Sequence, residues 1–588
     1  MNLKILEKKA KPSALPAASS GSGHWVGLES EKKLDRFKTA FTLTLIGVVL
    51  LGLSCARKPT TLAGTVVDEA GPIAGAYVRI RTGESYLVTD AEGAFLIEGL
   101  EPAQPVTLTA WAPGYFIAAA EDKIPGEEPV TIHLEQHYQQ DHPEYDWISP
   151  YASAGDEANC QNCHSDSSGT LPFEEWLDDA HSQTLSNHRF LTLYSGTDMA
   201  GNQSPQTRYI VTKDYGSHPL PPSSNQPYYG SGYKIDFPET QGNCAACHAP
   251  GAAVDTPYQT DPTLVIEDDT AGISCDFCHK IWDVQLDPET DLPYNQYPGV
   301  LSYEFLRPPQ GHQFFAGPLD DVAPGEDTFS SLQLESAYCA GCHYGTFWDT
   351  VIYNSYGEWL DSSYSDPETG QTCQDCHMPP LGVSYFAVPG EGGLERDPAT
   401  IASHRTLGVR DGEFMQNAVS LDAAAMQKAG EIILDVSLIN DNTGHKIPTD
   451  SPLRNLLLVV TVLDQDGNPL PLVSGPRLQD WAGADLGEEG HYGGLPGKGY
   501  ALVLRESWTG LWPTAAYWNP VQIIEDSRLS PFQEDQSQYH FQSPAEGLAT
   551  IQVKLIFRRA FIEIAEQKGW GVEDLVLKEI LLEIPDKE

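Results

Sequence analysis

Apolar and polar residues alternate in short runs near the beginning of the chain. Three such runs cover residues 62–80, 86–97 and 106–110, and turn residues such as Asp, Gly and Pro separate them. Successive side chains of a β-strand point to opposite faces of its sheet, so an alternating run fits a strand with one buried face. Short strands separated by turns indicate an antiparallel β-sandwich. We therefore predict a first β-sandwich over residues 59–137.

The same alternation returns near the end of the chain. Residues 431–465 predict two strands on either side of a loop that contains His445. We interpret residues 420–588 as a C-terminal β-sandwich with a short terminal helix. The later predicted elements are a strand at 551–559, a helix at 560–568 and a strand-like run at 579–584.

The segment between the two sandwiches, residues 138–419, lacks long periodic apolar runs. It is rich in Gly, Pro, Tyr, Asp and Ser. One short helix is predicted over residues 173–186, because Pro172 and the acidic residues after it mark a helix start. Another is predicted around residues 358–360. The predicted fold class is multidomain, with an N-terminal β-sandwich, a loop-rich and partly α-helical domain, and a C-terminal β-sandwich.

Ten of the eleven cysteines lie in five Cys-x-x-Cys-His motifs within this middle segment. In such a motif the two thiols bond to the vinyl groups of one haem, and the adjacent histidine binds the iron. The pattern therefore predicts five covalently bound c-type haems and a multihaem middle domain. The motifs are Cys160, Cys163 and His164; Cys244, Cys247 and His248; Cys275, Cys278 and His279; Cys339, Cys342 and His343; and Cys373, Cys376 and His377.

Zinc sites and disulfides are the other common uses of closely spaced cysteines. A zinc site of this kind pairs two Cys-x-x-Cys units per ion, which an odd number of motifs does not allow. A disulfide framework does not explain a histidine after every second cysteine. Haem attachment explains both features, and five flat haems would also supply the apolar core that the middle segment lacks.

The second axial ligand of each iron lies outside the motif. A second histidine closes an iron for electron transfer, whereas a missing one leaves an open position at which chemistry can occur. The candidates are free histidines within and after the motif region. We predict His181, His312, His404 and His445 as distal ligands, and His188 and His218 as competitors for the fifth position.

The N-terminal alternating region resembles the carboxypeptidase regulatory-like (transthyretin-like) domain over nearly all of residues 62–135. The resemblance rests on Gly-x-Val-x-Asp at 64–68, Thr-Asp-Ala-Glu-Gly-x-Phe at 89–95 and Leu-Thr-Ala-x-Ala-Pro-Gly-Tyr at 108–115. It implies a β-sandwich without catalytic residues, which would serve as a spacer or adhesion module.

Residues 145–560 resemble the exported multihaem cytochromes related to cytochrome c-554 and hydroxylamine oxidoreductase. The resemblance implies closely stacked haems, mostly with two histidine ligands, and His404 and His445 as distal ligands. The chain has no Cys-x-x-Cys-Lys motif of the kind found in many pentahaem nitrite reductases, and this departure weighs against the enzymatic analogy. The segments that carry the resemblance are GISCDFCHKI at 272–281, CQDCHMPP at 373–380 and GHKIPTDSPLR at 444–454.

Residues 1–58 have the pattern of an export signal. Basic residues precede an apolar stretch at 40–53, and Ser54 and Cys55 follow it. The ending resembles a bacterial lipoprotein cleavage site, in which Cys55 would be lipidated. An uncleaved signal anchor and a cleaved signal are the alternatives. Each of the three places the remaining chain outside the cytoplasm, and the first two tether it to a membrane, at the cell surface or in the periplasm.

The chain has 35 Lys and Arg against 82 Asp and Glu, which gives a net charge of −47. This charge argues against binding of nucleic acid and favours redox partner proteins with basic docking surfaces. Together the features predict an extracytoplasmic pentahaem cytochrome that transfers electrons, rather than an enzyme. Two alternatives are open: a reductase of a small nitrogen or sulfur oxyanion at one open haem, and a subunit of an extracellular cytochrome filament formed by like chains.

Overall fold

The computed structural model describes residues 60–153, 159–265, 272–322, 325–485 and 487–585. The predicted export signal, with its apolar stretch and Cys55, lies outside the described residues. Within the described part of the chain, no helix is both long and apolar enough to cross a membrane.

The N-terminal part folds into two facing sheets. One has the order β2-β1-β5, with β8 also paired to β1, and the other has the order β4-β3-β6-β7. Apolar side chains of both sheets, such as Val66 and Leu108, are buried between them. The prediction of a purely antiparallel sandwich is wrong at one pair, because β8 returns from the second sheet to the first and runs parallel to β1. The strands are β1 (Leu62–Asp68), β2 (Gly71–Pro72), β3 (Tyr77–Ile80), β4 (Tyr86–Val88), β5 (Ala94–Ile97), β6 (Val106–Trp111), β7 (Ala118–Lys123) and β8 (Val130–His133).

The middle segment consists of short helices and two-stranded sheets joined by long loops. The sheets pair β9 with β10, β11 with β12, β13 with β14, and β15 with β16. The strands are β9 (Tyr209–Thr212), β10 (Gly216–Pro219), β11 (Ile281–Val284), β12 (Tyr303–Phe305), β13 (Phe315–Gly317), β14 (Asp327–Phe329), β15 (Gly345–Phe347) and β16 (Thr350–Tyr353). The helices are Gln161–His164, Pro172–Leu177, His188–Ser195, Tyr233–Asp236, Ala245–His248, Pro250–Ala253, Cys275–Cys278, Ala337–His343, Ser355–Leu360, Cys373–His377 and Gly412–Asn417.

The helix predicted over residues 173–186 ends early, at Leu177. Asp179 explains the break, because its carboxylate accepts a hydrogen bond from the backbone N–H of His181 at 2.9 Å. A local bond of this kind competes with the helical bond of the same N–H group. A separate helix begins at His188, so His181 lies in a turn and the two histidines do not share one helical face.

The C-terminal part is a sandwich of two sheets. Their orders are β17-β18-β23-β20 and β22-β21-β19-β24-β25. Alternate residues of the facing strands, such as Leu434 and Leu458, form the largest buried cluster. Strand β17 was not predicted, because its apolar positions are mostly alanines. The last strand begins at Asp574, earlier than the predicted start at 579. The strands are β17 (Ser420–Lys428), β18 (Glu431–Ile439), β19 (Asn455–Leu463), β20 (Leu472–Ser474), β21 (Gly497–Glu506), β22 (Val521–Asp526), β23 (Glu534–Gln542), β24 (Ala549–Arg558) and β25 (Asp574–Ile584), and a helix spans Ile562–Lys568.

Both sandwiches bond directly to the middle segment. Trp111 of the first sandwich donates from its indole N–H to Thr328 at 3.0 Å. In the second sandwich, the fully buried Lys568 donates to the carbonyl oxygens of Thr192 at 3.2 Å and Thr197 at 3.0 Å. These contacts hold the motif-bearing segment between two rigid β-structures.

Candidate functional site

Each Cys-x-x-Cys-His motif forms about one turn of helix. On a helix, residues three and four positions apart lie on the same face, so one turn presents both thiols and the histidine to the same side. The turn of the fifth motif begins with a reciprocal cap, in which Thr372 accepts from the backbone N–H of Asp375 and Asp375 accepts from that of Thr372. In the third motif the Ser274 hydroxyl accepts from Phe277. None of the ten motif cysteines forms a disulfide bond within the described part of the chain.

Three motif histidines are oriented by backbone carbonyl groups. Nδ1 of His164 lies 2.7 Å from the oxygen of Phe386, and Nδ1 of His279 lies 2.8 Å from that of Ala316. Nδ1 of His377 lies 2.6 Å from the backbone oxygen of Leu407. A carbonyl oxygen can only accept, so Nδ1 carries the proton and Nε2 keeps a free lone pair. This is the tautomer that a metal-binding histidine of this kind needs.

Three distal candidates lie opposite motif histidines. The ring centres are 6.1 Å apart for His377 and His445, and 6.4 Å apart for His279 and His404. A third pair, His343 and His181, has the same 6.4 Å separation. An imidazole nitrogen binds a metal at about 2 Å, so two imidazoles on opposite sides of one metal ion have ring centres about 6 Å apart. The three pairs have this spacing.

The environment keeps several of these imidazoles uncharged. Burial lowers the pKa of His248, His404 and His445 to about 4. Burial also lowers the pKa of His279 and His377. A neutral imidazole is the form that binds a metal. Five histidines of the motif region are therefore in the ligand form at neutral pH.

The remaining distal candidates lie elsewhere. The side chain of His312 is 54% exposed and its Nδ1 lies 2.9 Å from Glu326. His188 begins its helix next to Arg189, and His218 stacks on Trp508. None of the three forms a ring contact with a motif histidine among the described residues.

Two motif histidines have aromatic neighbours instead of a histidine across from them. His164 stacks on Phe386 with ring centres 6.3 Å apart, and His248 stacks on Phe190 at 3.8 Å. Among the ring contacts of the described residues, neither meets a second histidine. The first and second motifs are therefore the two places where the distal ligand is not identified.

The motifs contact one another. Thiols of different motifs lie within hydrogen-bonding reach in three places, and Tyr338 of the fourth motif helix donates to the backbone oxygen of Cys278 at 2.9 Å. The first motif thus touches the third, the third touches the fourth, and the fourth touches both the second and the fifth. The thiol pairs are Cys160 with Cys275, Cys247 with Cys342, and Cys339 with Cys373.

Four arginines from distant parts of the chain lie close enough to interact electrostatically, and one of them, Arg189, precedes Phe190, which stacks on His248 of the second motif. Burial and the neighbouring guanidinium groups lower the pKa of Arg559 to about 10, although Glu573 lies 3.5 Å away. Such a concentration of positive charge, in a chain of net charge −47, is suited to bind carboxylates. The propionates of a haem are carboxylates. The arginines are Arg189, Arg410, Arg454 and Arg559.

Sequence reasoning missed the acidic residues that hold the distal histidines. Asp179 Oδ1 lies 2.8 Å from Nδ1 of His181, and Glu175 accepts from the backbone N–H of His404 at 2.7 Å. Asp179 could have been found, because it precedes His181 by two residues. Glu175 and His404 are far apart along the chain, and no local pattern joins them.

The described side chains fit the haems that the motifs imply. Three proximal imidazoles have the required tautomer, three have a histidine at the spacing of a shared metal ion, and arginines supply positive charge for propionates.

Comparison with known protein sequences gives two findings. Residues 61–137 match the family model of the carboxypeptidase regulatory-like domain, so the chain contains that domain. No curated protein matches the chain.

Two solved structures are similar to parts of the chain. A penta-haem cytochrome c552 from Thermochromatium tepidum has 19% identity and a TM-score of 0.47, covering 72% of this chain and 97% of that one. A type II cohesin–X-dockerin complex from Acetivibrio cellulolyticus has 18% identity and a TM-score of 0.12, covering 13% of this chain and 58% of that one.

Proposed function

We propose that the protein is a pentahaem c-type cytochrome that transfers electrons outside the cytoplasm. The observation that carries the proposal is the pairing of three motif histidines with three non-motif histidines, at ring separations of 6.1–6.4 Å. Two histidine ligands close an iron to small molecules and suit it to electron transfer.

The residues of the chain attach, orient and shield the cofactors. A bound c-type haem supplies an iron that exchanges one electron at a time. The ten motif cysteines provide the thioether sulfurs, and the backbone carbonyls that accept from Nδ1 fix the proximal rings. The buried aromatic cluster around Phe277 and Tyr303 excludes water between the second, third and fourth motifs.

The contacts between motifs support a branched path of electron exchange. The fourth motif touches the second, third and fifth motifs, while the first motif touches the third. Covalent attachment at these points would keep all five cofactors close to one another, and the fourth would be the junction.

The location and the partners follow from the sequence. Haem is attached to such motifs in bacteria outside the cytoplasmic membrane, and the basic and apolar residues of 1–58 provide the export signal. Lipidation at Cys55, or an uncleaved anchor, would tether the protein to a membrane. The net charge of −47 would steer it toward redox partners with basic surfaces.

The test is the number of haems bound covalently by the exported protein. We expect intact-mass measurement to give five haems per chain, and the double variant Cys373→Ser/Cys376→Ser to carry one fewer. A wild-type protein without covalent haem, or a double variant with an unchanged haem number, would contradict the proposal.

A second candidate function is reduction of a small nitrogen or sulfur oxyanion. The observation that favours it is the arginine cluster defined above, beside a second motif whose His248 has no histidine across from it. Cationic groups near an open iron stabilise developing negative charge. If this function is right, nitrite or sulfite will change the absorption of the oxidised protein, and Arg189→Gln will weaken that change. No spectral change at millimolar concentrations of either anion would rule it out.

A further inference from the structure

A small cavity lies between the middle segment and the C-terminal sandwich. It has a volume of about 50 Å³ and is lined by residues of 205–208, 220–236 and 506–516. A single water needs roughly 10–15 Å³ of such volume, so the cavity has room for an ion and a few waters. No residue of a haem motif lines the cavity. The last lining residue of the middle segment is Asp236, which lies shortly before Cys244 of the second motif in the sequence.

Two buried carboxyl groups line this cavity. Glu506 is 3% exposed and lies at the end of β21, and Asp236 is 9% exposed and ends a helix of the middle segment. Asp236 accepts hydrogen bonds from the indole N–H of Trp518 at 2.7 Å and from the amide of Asn519 at 2.9 Å, and its other oxygen accepts from Thr207. These donors hold the Asp236 carboxylate in one position.

Glu506 is not satisfied in the same way. Its Oε2 accepts from the hydroxyl of Thr509 at 2.6 Å, but its Oε1 is buried without a hydrogen-bond partner among the described residues. Burial raises the pKa of Glu506 to about 7, and the charge of Asp236 contributes to the rise. A buried carboxylate oxygen without a partner carries a large desolvation cost. A proton on Glu506 or a bound cation offsets that cost.

No basic side chain fills this role among the described residues. Neither Glu506 nor Asp236 has a Lys, Arg or His among the groups that shift its pKa. Arg208 lines the cavity, but its side chain is exposed and donates to the carbonyl oxygen of Pro221 at 2.9 Å. Neither carboxyl group therefore has an ion-pair partner among the described residues.

The oxygen atoms around the cavity define the ligand. Besides the two acidic residues, the hydroxyl-bearing residues Thr509, Tyr228 and Ser231 line it. Hard cations such as calcium bind six to eight oxygen ligands, in irregular geometries that combine carboxylates, neutral oxygens and water. Magnesium needs a smaller octahedral site and keeps most of its water. No sulfur or imidazole ligand lines the cavity, so a softer metal is disfavoured.

We propose that the cavity formed by Glu506 and Asp236 is a calcium-binding site. The bound ion would neutralise the two carboxylates and cross-link the middle segment, just before its second haem motif, to the C-terminal sandwich. The proposal rests on this cavity alone and is independent of the proposed electron transfer.

The test is calcium binding by the purified, chelator-treated holoprotein in equilibrium dialysis with radioactive calcium at about 0.15 M salt, where surface charges are screened. We expect the wild type to bind one calcium ion that Glu506→Gln does not bind with high affinity. The affinity of the variant for this ion should be at least tenfold lower. The matched control is Glu127→Gln, which removes an exposed carboxylate of the N-terminal sandwich and should keep the site.

The wild type also provides a test that needs no variant. Calcium that bridges the two parts should raise the melting temperature of the chelator-treated protein, and an equal concentration of magnesium should raise it less. Equal calcium stoichiometry in the wild type and Glu506→Gln would overturn the proposal. If Glu506→Gln does not fold, an unchanged melting temperature of the wild type in millimolar calcium would overturn it.

Discussion

His445 shows at the scale of a single residue how the sandwich serves the motif region. It lies in the loop between β18 and β19, and its ring centre is 6.1 Å from that of His377. Its Nδ1 lies 3.0 Å from the carbonyl oxygen of Lys446, which leaves Nε2 free to bind a metal. A loop of the C-terminal sandwich thus places a histidine across from the histidine of the fifth motif.

Replacing this histidine tests its assignment. We expect His445→Ala to convert one low-spin haem into a high-spin haem, because the iron loses its sixth ligand. Imidazole added to the solution should restore the low-spin state. The matched control is His540→Ala, since His540 lies on β23 and pairs with Glu431 at 2.9 Å. A high-spin signal in both variants, or in neither, would show that the pairing does not form a haem site.

Lys280 and Asp276 form a fully buried ion pair in the third motif region. Asp276 also accepts from the hydroxyl of Tyr145 at 3.0 Å and from the backbone N–H of Ile148 at 2.9 Å. Removing one member of a buried pair leaves an uncompensated charge and costs about 3–5 kcal/mol. We expect Lys280→Met to lower the free energy of unfolding by about this amount.

The double variant distinguishes loss of pairing from loss of packing. Lys280→Met with Asp276→Asn removes both charges, so it should recover most of the lost stability in denaturant unfolding followed by circular dichroism. Haem content is measured in parallel. A single variant within about 1 kcal/mol of the wild type would mean that the pair does not stabilise the fold.

Glu506 predicts a pH dependence of stability in the absence of calcium. Its pKa rises from 4.5 to about 7 on folding, so between these values the folded state holds more protons than the unfolded state. Stability should therefore fall as the pH rises from about 4.5 to about 7. In calcium-free buffer we expect this decrease to be smaller in Glu506→Gln than in the wild type. Identical pH profiles of the two proteins would contradict the prediction.

At the scale of elements, the loop between β18 and β19 is a rigid support. Asn440 is fully buried, and its amide donates to the carbonyl oxygens of His445 and Leu529, both at 3.0 Å. Its carbonyl oxygen accepts from the hydroxyl of Thr443 at 2.6 Å. These bonds fix the backbone on which His445 is mounted.

Truncating Asn440 should loosen this support. Asn440→Ala removes two buried hydrogen bonds, at about 0.5–1.5 kcal/mol each, because the carbonyl oxygens of His445 and Leu529 still accept from Thr443 and Ile447. We expect lower stability and a partial high-spin signal that resembles that of His445→Ala. Asn442→Ala is the control, because Asn442 is exposed and makes one bond, to the oxygen of Asn417 at 3.0 Å. Equal behaviour of the two asparagine variants would contradict a supporting role of Asn440.

The sequence predicted elements with a strong local pattern and missed those that depend on distant contacts. Strands β18 and β24 were predicted because their apolar residues alternate, and β19 was predicted although it is a continuous apolar run that is buried on both faces. The helix after Pro172 was predicted too long, because the competing bond of Asp179 is not part of the periodic pattern. Strand β17 has only a weak alternation of alanines, and its place at the sheet edge depends on pairing with β18.

The same distinction applies to the candidate site. The proximal ligands could be assigned because thiols and histidine are contiguous in each motif. The distal candidates had to be chosen among free histidines, and their partners depend on the folded chain. His404 meets His279 only because the loop that follows the fifth motif returns to the third. Neither the Glu175 contact with His404 nor the Glu506 cavity has a local signature.

At the scale of the whole molecule, charge determines which partners approach. The net charge of −47 gives long-range attraction to a basic redox protein and repulsion from an acidic one. We expect the rate of electron exchange with a small basic cytochrome to fall steeply as salt rises from about 0.05 to about 0.5 M, because the Debye length shortens. An acidic flavodoxin of similar size is the control, and its rate should rise or stay constant. A salt-independent rate with the basic partner would contradict electrostatic steering.

The central claim is that five haems are attached and that at least three irons lie between two histidines. The most direct measurement is an electron paramagnetic resonance spectrum of the oxidised protein, with covalent haem counted by mass on the same sample. We predict five haems, low-spin signals from at least three of them, and high-spin signals from at most the two at His164 and His248. Fewer than five haems, or high-spin signals from three or more, would contradict the account.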